Sequence, residues 1–164
     1  GDSTAHLSAD RARFEGADWS VDSRLIPERY PKYAEVLPTT PPAATVILDR
    51  HALLAAIRRI AVLEPDQFRV TFRFEGTSLH MKGVSYTDTA EDAAEDTVGL
   101  TAAVEPAIVR CLNYRFVTQF LESVKTETVE IDFRNLDQYS TPGMLALRAG
   151  GRSDLLYLLM GMTP

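Results

Sequence analysis

Residues 45–63, Thr45-Val46-Ile47-Leu48-Asp49-Arg50-His51-Ala52-Leu53-Leu54-Ala55-Ala56-Ile57-Arg58-Arg59-Ile60-Ala61-Val62-Leu63, read as a strand running through an acidic cap into an amphipathic helix. The pattern returns at Ala107–Lys125, AIVRCLNYRFVTQFLESVK. In each copy a short apolar run ends in a residue whose side-chain oxygen can accept from the unpaired amides of a helix's first turn, Asp49 or Asn113. Aligned on these caps, Leu53, Ala56, Ile57 and Ile60 fall opposite Val117, Phe120, Leu121 and Val124, both sets at i, i+3, i+4, i+7. One face of each helix is therefore expected to be buried.

Period-2 segments follow each helix. After the first, Phe68, Val70, Phe72 and Phe74 alternate with Arg69, Thr71 and Arg73; Leu79 and Met81 alternate with His80 and Lys82; Val98, Leu100, Ala102 and Val104 come next. After the second, the strand candidates are Thr128–Phe133, Met144–Arg148 and Leu155–Met162. Such alternation marks half-buried strands. From residue 44 onward the chain reads as β-α-β-β-β written twice, an α+β fold with two helices packed on antiparallel sheets.

A chain of 164 residues supports one well-buried core, and 45% hydrophobic with 24% charged residues is an ordinary globular composition. No apolar run approaches the roughly 20 residues that span a bilayer, so no membrane partner is expected. The single cysteine, Cys111, allows no internal disulfide or cysteine metal site and fits a reducing cytosol, which makes a cytoplasmic location the expectation. A net charge of −6 argues against a stand-alone nucleic-acid binder but leaves room for a local basic face.

Three short strand candidates lie within residues 1–26, around Ala5–Leu7, Arg11–Phe14 and Trp19–Ile26. They read as the terminal strands of a preceding domain, so the chain is expected to be part of a longer protein; the other reading is an extension of the main sheet. Residues 27–43 hold Pro27, Pro31, Pro38, Pro41 and Pro42, a semi-rigid connector, and its Tyr30, Tyr33, Val36 and Leu37 are expected to pack against something. Residues 44–164 then form a complete domain. The stretch Tyr86–Asp96 reads as an acidic loop, either a solvated surface or a patch awaiting a basic partner. Leu155–Met162 is apolar on both strand faces, as in strands that are central or covered on each side.

Catalytic chemistry finds no foothold. His6, His51 and His80 lack the spacing and companions of a metal site, so no metal and no cofactor are expected. There is no G-x-S-x-G elbow and no phosphate-cradling glycine loop; Gly150-Gly151 falls in a strand-to-strand turn. Glu91 and Asp92 lack the apolar surroundings that would tune one carboxyl as an acid. A non-catalytic binding or structural role is the stronger expectation.

Three segments carry a family resemblance. The lead-in Ser23–Pro38, SRLIPERYPKYAEVLP, the helix exit Ile60-Ala61-Val62-Leu63 with Phe68-Arg69, and the tail Tyr157-Leu158-Leu159-Met160-Gly161-Met162 resemble the last third of the bacterial sliding clamp, the beta subunit of DNA polymerase III. The resemblance implies the DNA clamp fold, two β-α-β-β-β halves with sheets outside and helices lining a ring, and a non-catalytic role in replication processivity. Residues 1–26 would correspond to the end of the middle domain.

Several sites and partners are implied by the same resemblance. Duplex DNA, held without sequence readout, would pass the helix faces, here Arg50, Arg58, Arg59, Arg115 and Lys125, although the same residues also read as ordinary helix-surface charge. DNA polymerase and repair proteins would insert short clamp-binding peptides into a cleft lined by Pro31, Val36, Leu158, Leu159, Met160, Gly161 and Met162; the tail equally reads as a core strand. A ring interface would place Val62, Leu63 and Phe68 at its apolar centre and Glu91, Asp92 and Glu95 at its rim. Homodimer formation is expected only of the full-length protein. The chain departs from the family at Glu35, usually basic, at Gly161, usually proline, and at Thr163-Pro164. These departures motivate an alternative, a clamp-derived regulatory or scaffolding module such as the C-terminal part of a helix-turn-helix transcription regulator.

Overall fold

The structure, a computed structural model, describes residues 3–29, 32–86, 91–134, 143–152 and 154–163. It divides into two compact units, residues 1–39 and 40–164. In the first, β1 (Thr4–Leu7), β2 (Arg11–Glu15) and β3 (Ser20–Arg24) form an antiparallel three-stranded sheet of their own, not an extension of the main one. Ala5, Phe14 and Val21 stand side by side across it, as do His6, Arg13 and Asp22, so one face is apolar and the other charged. Phe14 and Val21 remain exposed. The connector forms one 3-10 turn, Tyr33–Glu35, and Tyr33, Val36 and Leu37 are exposed.

The second unit begins with β4 (Ala44–Asp49) and α1 (Arg50–Ala61). Asp49 caps the helix as its position predicts, its Oδ1 accepting from the amide of Ala52 at 2.7 Å. Asn113 does the same for α2 (Tyr114–Ser123), its Oδ1 accepting from the amide of Arg115 at 3.0 Å. Leu53, Ala56, Ile57 and Ile60 of α1 are buried, as are Val117, Phe120, Leu121 and Val124 along α2. Both stripes face a core that includes Val70, Phe72, Phe74, Ile131 and Phe133. Burying an aliphatic or aromatic side chain of this kind gains about 1.5–3 kcal/mol, so the two stripes supply much of what holds helices to sheet.

Between the helices the strands are fewer and longer than the alternation suggests. β5 runs over 18 residues, Arg69–Tyr86, and β6 over 23, Glu91–Asn113. Phe68 belongs not to β5 but to a 3-10 turn, Asp66–Phe68, and has a φ of 58°. Gly76 separates the two sequence-predicted strands within β5, yet its φ of 53° accommodates a register shift rather than a turn, and the strand continues. Likewise Val98–Val104 flows into the strand before α2, with Ala102 exposed where burial lapses. The acidic stretch is also not a loop throughout. Glu91 to Asp96 open β6, pairing Tyr86 with Glu91, Lys82 with Glu95 and Met81 with Asp96. A Lys82–Glu95 contact at 3.1 Å offsets the repulsion within that run.

After α2 come β7 (Thr128–Phe133), β8 (Met144–Ala149) and β9 (Leu156–Met160). The sheet order is β5-β6-β4-β7-β8-β9. The duplication is visible in the pairing. β4, first strand of one half, pairs with β7, second strand of the other, through Leu48 and Val129; the end of β6 pairs with the start of β5 through Leu112 and Val70. The last strand of each half then returns to that half's first strand, Leu100 beside Leu48 and Met162 beside Cys111. The fold class is therefore the expected one, α+β with two equivalent helices on antiparallel strands.

Candidate functional site

The return of the tail to β6 builds a cleft. The amide of Met162 donates to the carbonyl of Cys111 at 2.7 Å, and that of Gly161 to the carbonyl of Gly143 at 3.1 Å. These bonds hold the tail as a continuation of β9 beside the start of α2. The cavity along it, about 410 Å³, is lined by Asn113, Phe116, Tyr157, Leu158, Leu159, Met160 and Met162. Leu159 is buried against the core, whereas Met160 is 60% exposed and Phe116 48%. Tyr157 leans on the buried Phe120 ring, with centroids 5.5 Å apart, so the floor of the cleft rests on the α2 stripe. An apolar channel with two adaptable methionines and one exposed aromatic ring suits an apolar anchor of a peptide.

Of the cleft residues expected from sequence, Leu158, Leu159, Met160 and Met162 line this cavity, and Gly161 lies in the same tail. Val36 belongs to the first unit. Pro31 lies outside the described residues. Asn113, Phe116 and Tyr157 were not anticipated. Phe116 carries a signal that would have found it, a large aromatic side chain lying off the buried stripe of its helix.

The helix cations are more committed than their sequence positions suggest. Arg50 is half-buried; its Nε donates to the carbonyl of Thr126 at 2.7 Å and its Nη1 to that of Leu121 at 3.0 Å, closing the C-terminal end of α2. Arg58 Nη2 pairs with Glu122 Oε1 at 2.7 Å. Arg59 Nε pairs with Asp96 Oδ2 at 2.5 Å, and that hydrogen bond holds the Asp96 carboxyl below its ordinary range and raises Arg59. The Arg115 guanidinium stacks over Phe68, 3.5 Å from the ring centroid, while Tyr114 meets the same ring edge-on. Lys125 is exposed just after α2.

Residues expected at a ring interface gather around the end of α1 and the start of β6. Val62 is 83% exposed, while Leu63 and Phe68 are half-buried. Glu91, Asp92 and Glu95 are exposed on β6 beside the edge strand β5. Gly83 lets β5 pass close to α1, since a Cβ there would sit 2.6 Å from Ile60 Cγ2 and 2.7 Å from Pro65 Cγ.

Among the described residues no cluster of His, Cys, Asp and Glu could hold a metal ion. His51 meets Arg50, and His80 Nδ1 lies 3.2 Å from the hydroxyl of Thr97. Burial pushes the Cys111 thiol up, away from the reactive thiolate. No helix among the described residues is long and apolar enough to cross a membrane.

The sequence matches no protein-family model and no curated protein. Its fold, in contrast, is shared with many solved structures. A DNA polymerase III subunit beta sliding clamp from Bartonella birtlesii, bound to griselimycin, superposes with a TM-score of 0.83 over 100% of this chain at 20% identity, covering 42% of that chain. The sliding clamp of Pseudomonas aeruginosa, solved with a ligand, gives 0.80 over 98% at 19% identity. The beta subunit from Thermotoga maritima gives 0.73 over 98% at 20% identity. The chain spans about 41% of the last two. Two capped helices on a duplicated antiparallel sheet, with a tail strand returning to β6, are thus the α+β fold of bacterial DNA polymerase III beta sliding clamps.

Proposed function

We propose that this chain is part of a non-catalytic sliding-clamp protein, with residues 44–164 as its last domain, residues 1–26 as the final strands of a middle domain and residues 27–43 as the connector. In that role it tethers DNA polymerase and repair proteins, in the cytoplasm, through short peptides with apolar anchors. The observation that carries this reading is the cleft beside β9, where Phe116, Tyr157, Leu158, Met160 and Met162 form an apolar channel on a clamp fold. The clamp from Bartonella birtlesii is described as bound to griselimycin, which supports ligand binding by proteins of this fold. Val62, Leu63 and Phe68 with Glu91, Asp92 and Glu95 would meet a second full-length copy, and the helix face would meet duplex DNA through phosphates alone.

Fluorescence anisotropy with a labelled clamp-binding peptide carrying Gln-Leu and Leu-Phe anchors tests the cleft. Saturable binding that Met160→Asp abolishes supports it. Saturable binding indifferent to Met160→Asp, or none at all, removes the tethering role. The alternative, a clamp-derived regulatory or scaffolding module, draws on Gly161. Its amide donates to Gly143, a bond that the proline usual in the resembling family cannot make. The residues encoded upstream of Gly1 separate the two, a further clamp domain favouring the first and a DNA-reading helix pair the second.

A further inference from the structure

We infer that the helix face carries its own phosphate substitutes, the carboxylates of Glu122 and Asp96, which duplex DNA must displace before Arg58 and Arg59 can touch its backbone. This rests on the reading of that face as the DNA-facing one and adds how its affinity is limited. Arg58 and Glu122 stand 64 residues apart, the interval that relates the two caps, so the repeat carries a cation in one half and its counter-charge at the matching place in the other. Their contact joins the two helices across the surface that would meet DNA. Asp96 lies in β6 two residues before the buried Val98, on the side of the strand that faces α1, and holds Arg59 from the opposite flank.

The pairs are exchangeable. In the Arg58–Glu122 pair the side chains are 62% and 49% exposed, and such an exposed pair contributes at most about 1 kcal/mol, so a phosphate can replace Glu122; Asp96, 18% exposed, holds the 62% exposed Arg59 from a less accessible place. Exchange alters the salt dependence. A cation that neutralises a phosphate releases a condensed counterion, which steepens the plot of log affinity against log salt by about 0.9. An arginine that stays on its carboxylate neutralises no phosphate and adds nothing to that slope. The arginines then hold DNA weakly and with little salt dependence, as a surface that must slide requires.

The test uses the full chain and a short duplex of arbitrary sequence, with binding followed by NMR titration at salt from about 50 to about 200 mM. Glu122→Gln and Asp96→Asn free Arg58 and Arg59. Each is expected to tighten binding about two- to fivefold and to steepen the salt plot by about 0.9. The double variant Arg58→Gln/Glu122→Gln is expected to lose the gain. Glu127→Gln removes the same charge from the connector after α2 without freeing a paired arginine, and should tighten binding less and leave the slope unchanged. Should Glu122→Gln and Asp96→Asn gain no more than Glu127→Gln while Arg115→Gln and Lys125→Gln still weaken binding, the inference is overturned and the DNA-facing assignment survives. Should none of these proteins bind the duplex, both are overturned.

Discussion

Arg50 offers a measurable division between a cation proposed to meet DNA and one that serves the fold. Its guanidinium reaches from the first residue of α1 to the far end of α2, donating to Thr126 at 2.7 Å and Leu121 at 3.0 Å. The last turn of α2 has no basic residue of its own, so Arg50 supplies both the donors and the positive charge that the exposed carbonyls require. A hydrogen bond from a charged donor is worth about 1.5–3 kcal/mol, and half-burial here points to the lower end for the pair together, about 2–3 kcal/mol. In a chain of this size that corresponds to a melting point lower by roughly 5–10 °C. Arg50→Ala should show this loss by circular dichroism and by urea titration. Arg50→Lys, which keeps the charge near the end of α2 but donates from a single point, should recover about half of it. An Arg50→Ala protein melting within about 1 °C of the parent would refute the reasoning and return Arg50 to the surface cations.

Other substitutions probe the packing. Phe120→Ala should cost about 3–5 kcal/mol in urea unfolding, because Phe120 is fully enclosed and supports Tyr157 at the cleft floor. Gly83→Val should cost about 1–3 kcal/mol by the same measure, since β5 and the α1 exit approach too closely there for a side chain. Asp96 has a depressed carboxyl pKa, chiefly through the hydrogen bond from Arg59. Its contribution to stability is therefore complete above its ordinary value of 3.8 and is lost as pH falls through the lower folded value. Acid titration of unfolding should show a shallower decline below that point in Asp96→Asn than in the parent protein.

The features legible in the sequence are those set by neighbours along the chain. The caps at Asp49 and Asn113 and the stripes they introduce are local, and they sufficed to reveal the duplicated unit. Gly76 and the polar stretch after Tyr86 misled for the same reason. Glycine and acidic runs commonly break strands, yet cross-strand pairing with β6 carries β5 through Gly76, and Lys82 and Arg59 draw Glu95 and Asp96 into β6. The fate of Arg50 depends on a partner 71 residues away that no periodicity encodes, and that of Arg58 on Glu122, which holds the matching place in the other half but meets it only once the two helices pack side by side. The cleft was half legible. The tail announced itself by being apolar on both faces, whereas Asn113 and Phe116 join it only because Met162 returns to Cys111.

Methyl NMR of the methionines tests the central claim most directly, because the chain contains only four: Met81, Met144, Met160 and Met162. Met81 is buried in the core far along β5, while Met160 and Met162 line the cleft. On titration with the anchor-bearing peptide, Met160 and Met162 are expected to shift saturably while Met81 stays still. Peptide binding that leaves Met160 and Met162 unmoved, or no shift at any methionine, would contradict the assignment of the β9 cleft as the partner site.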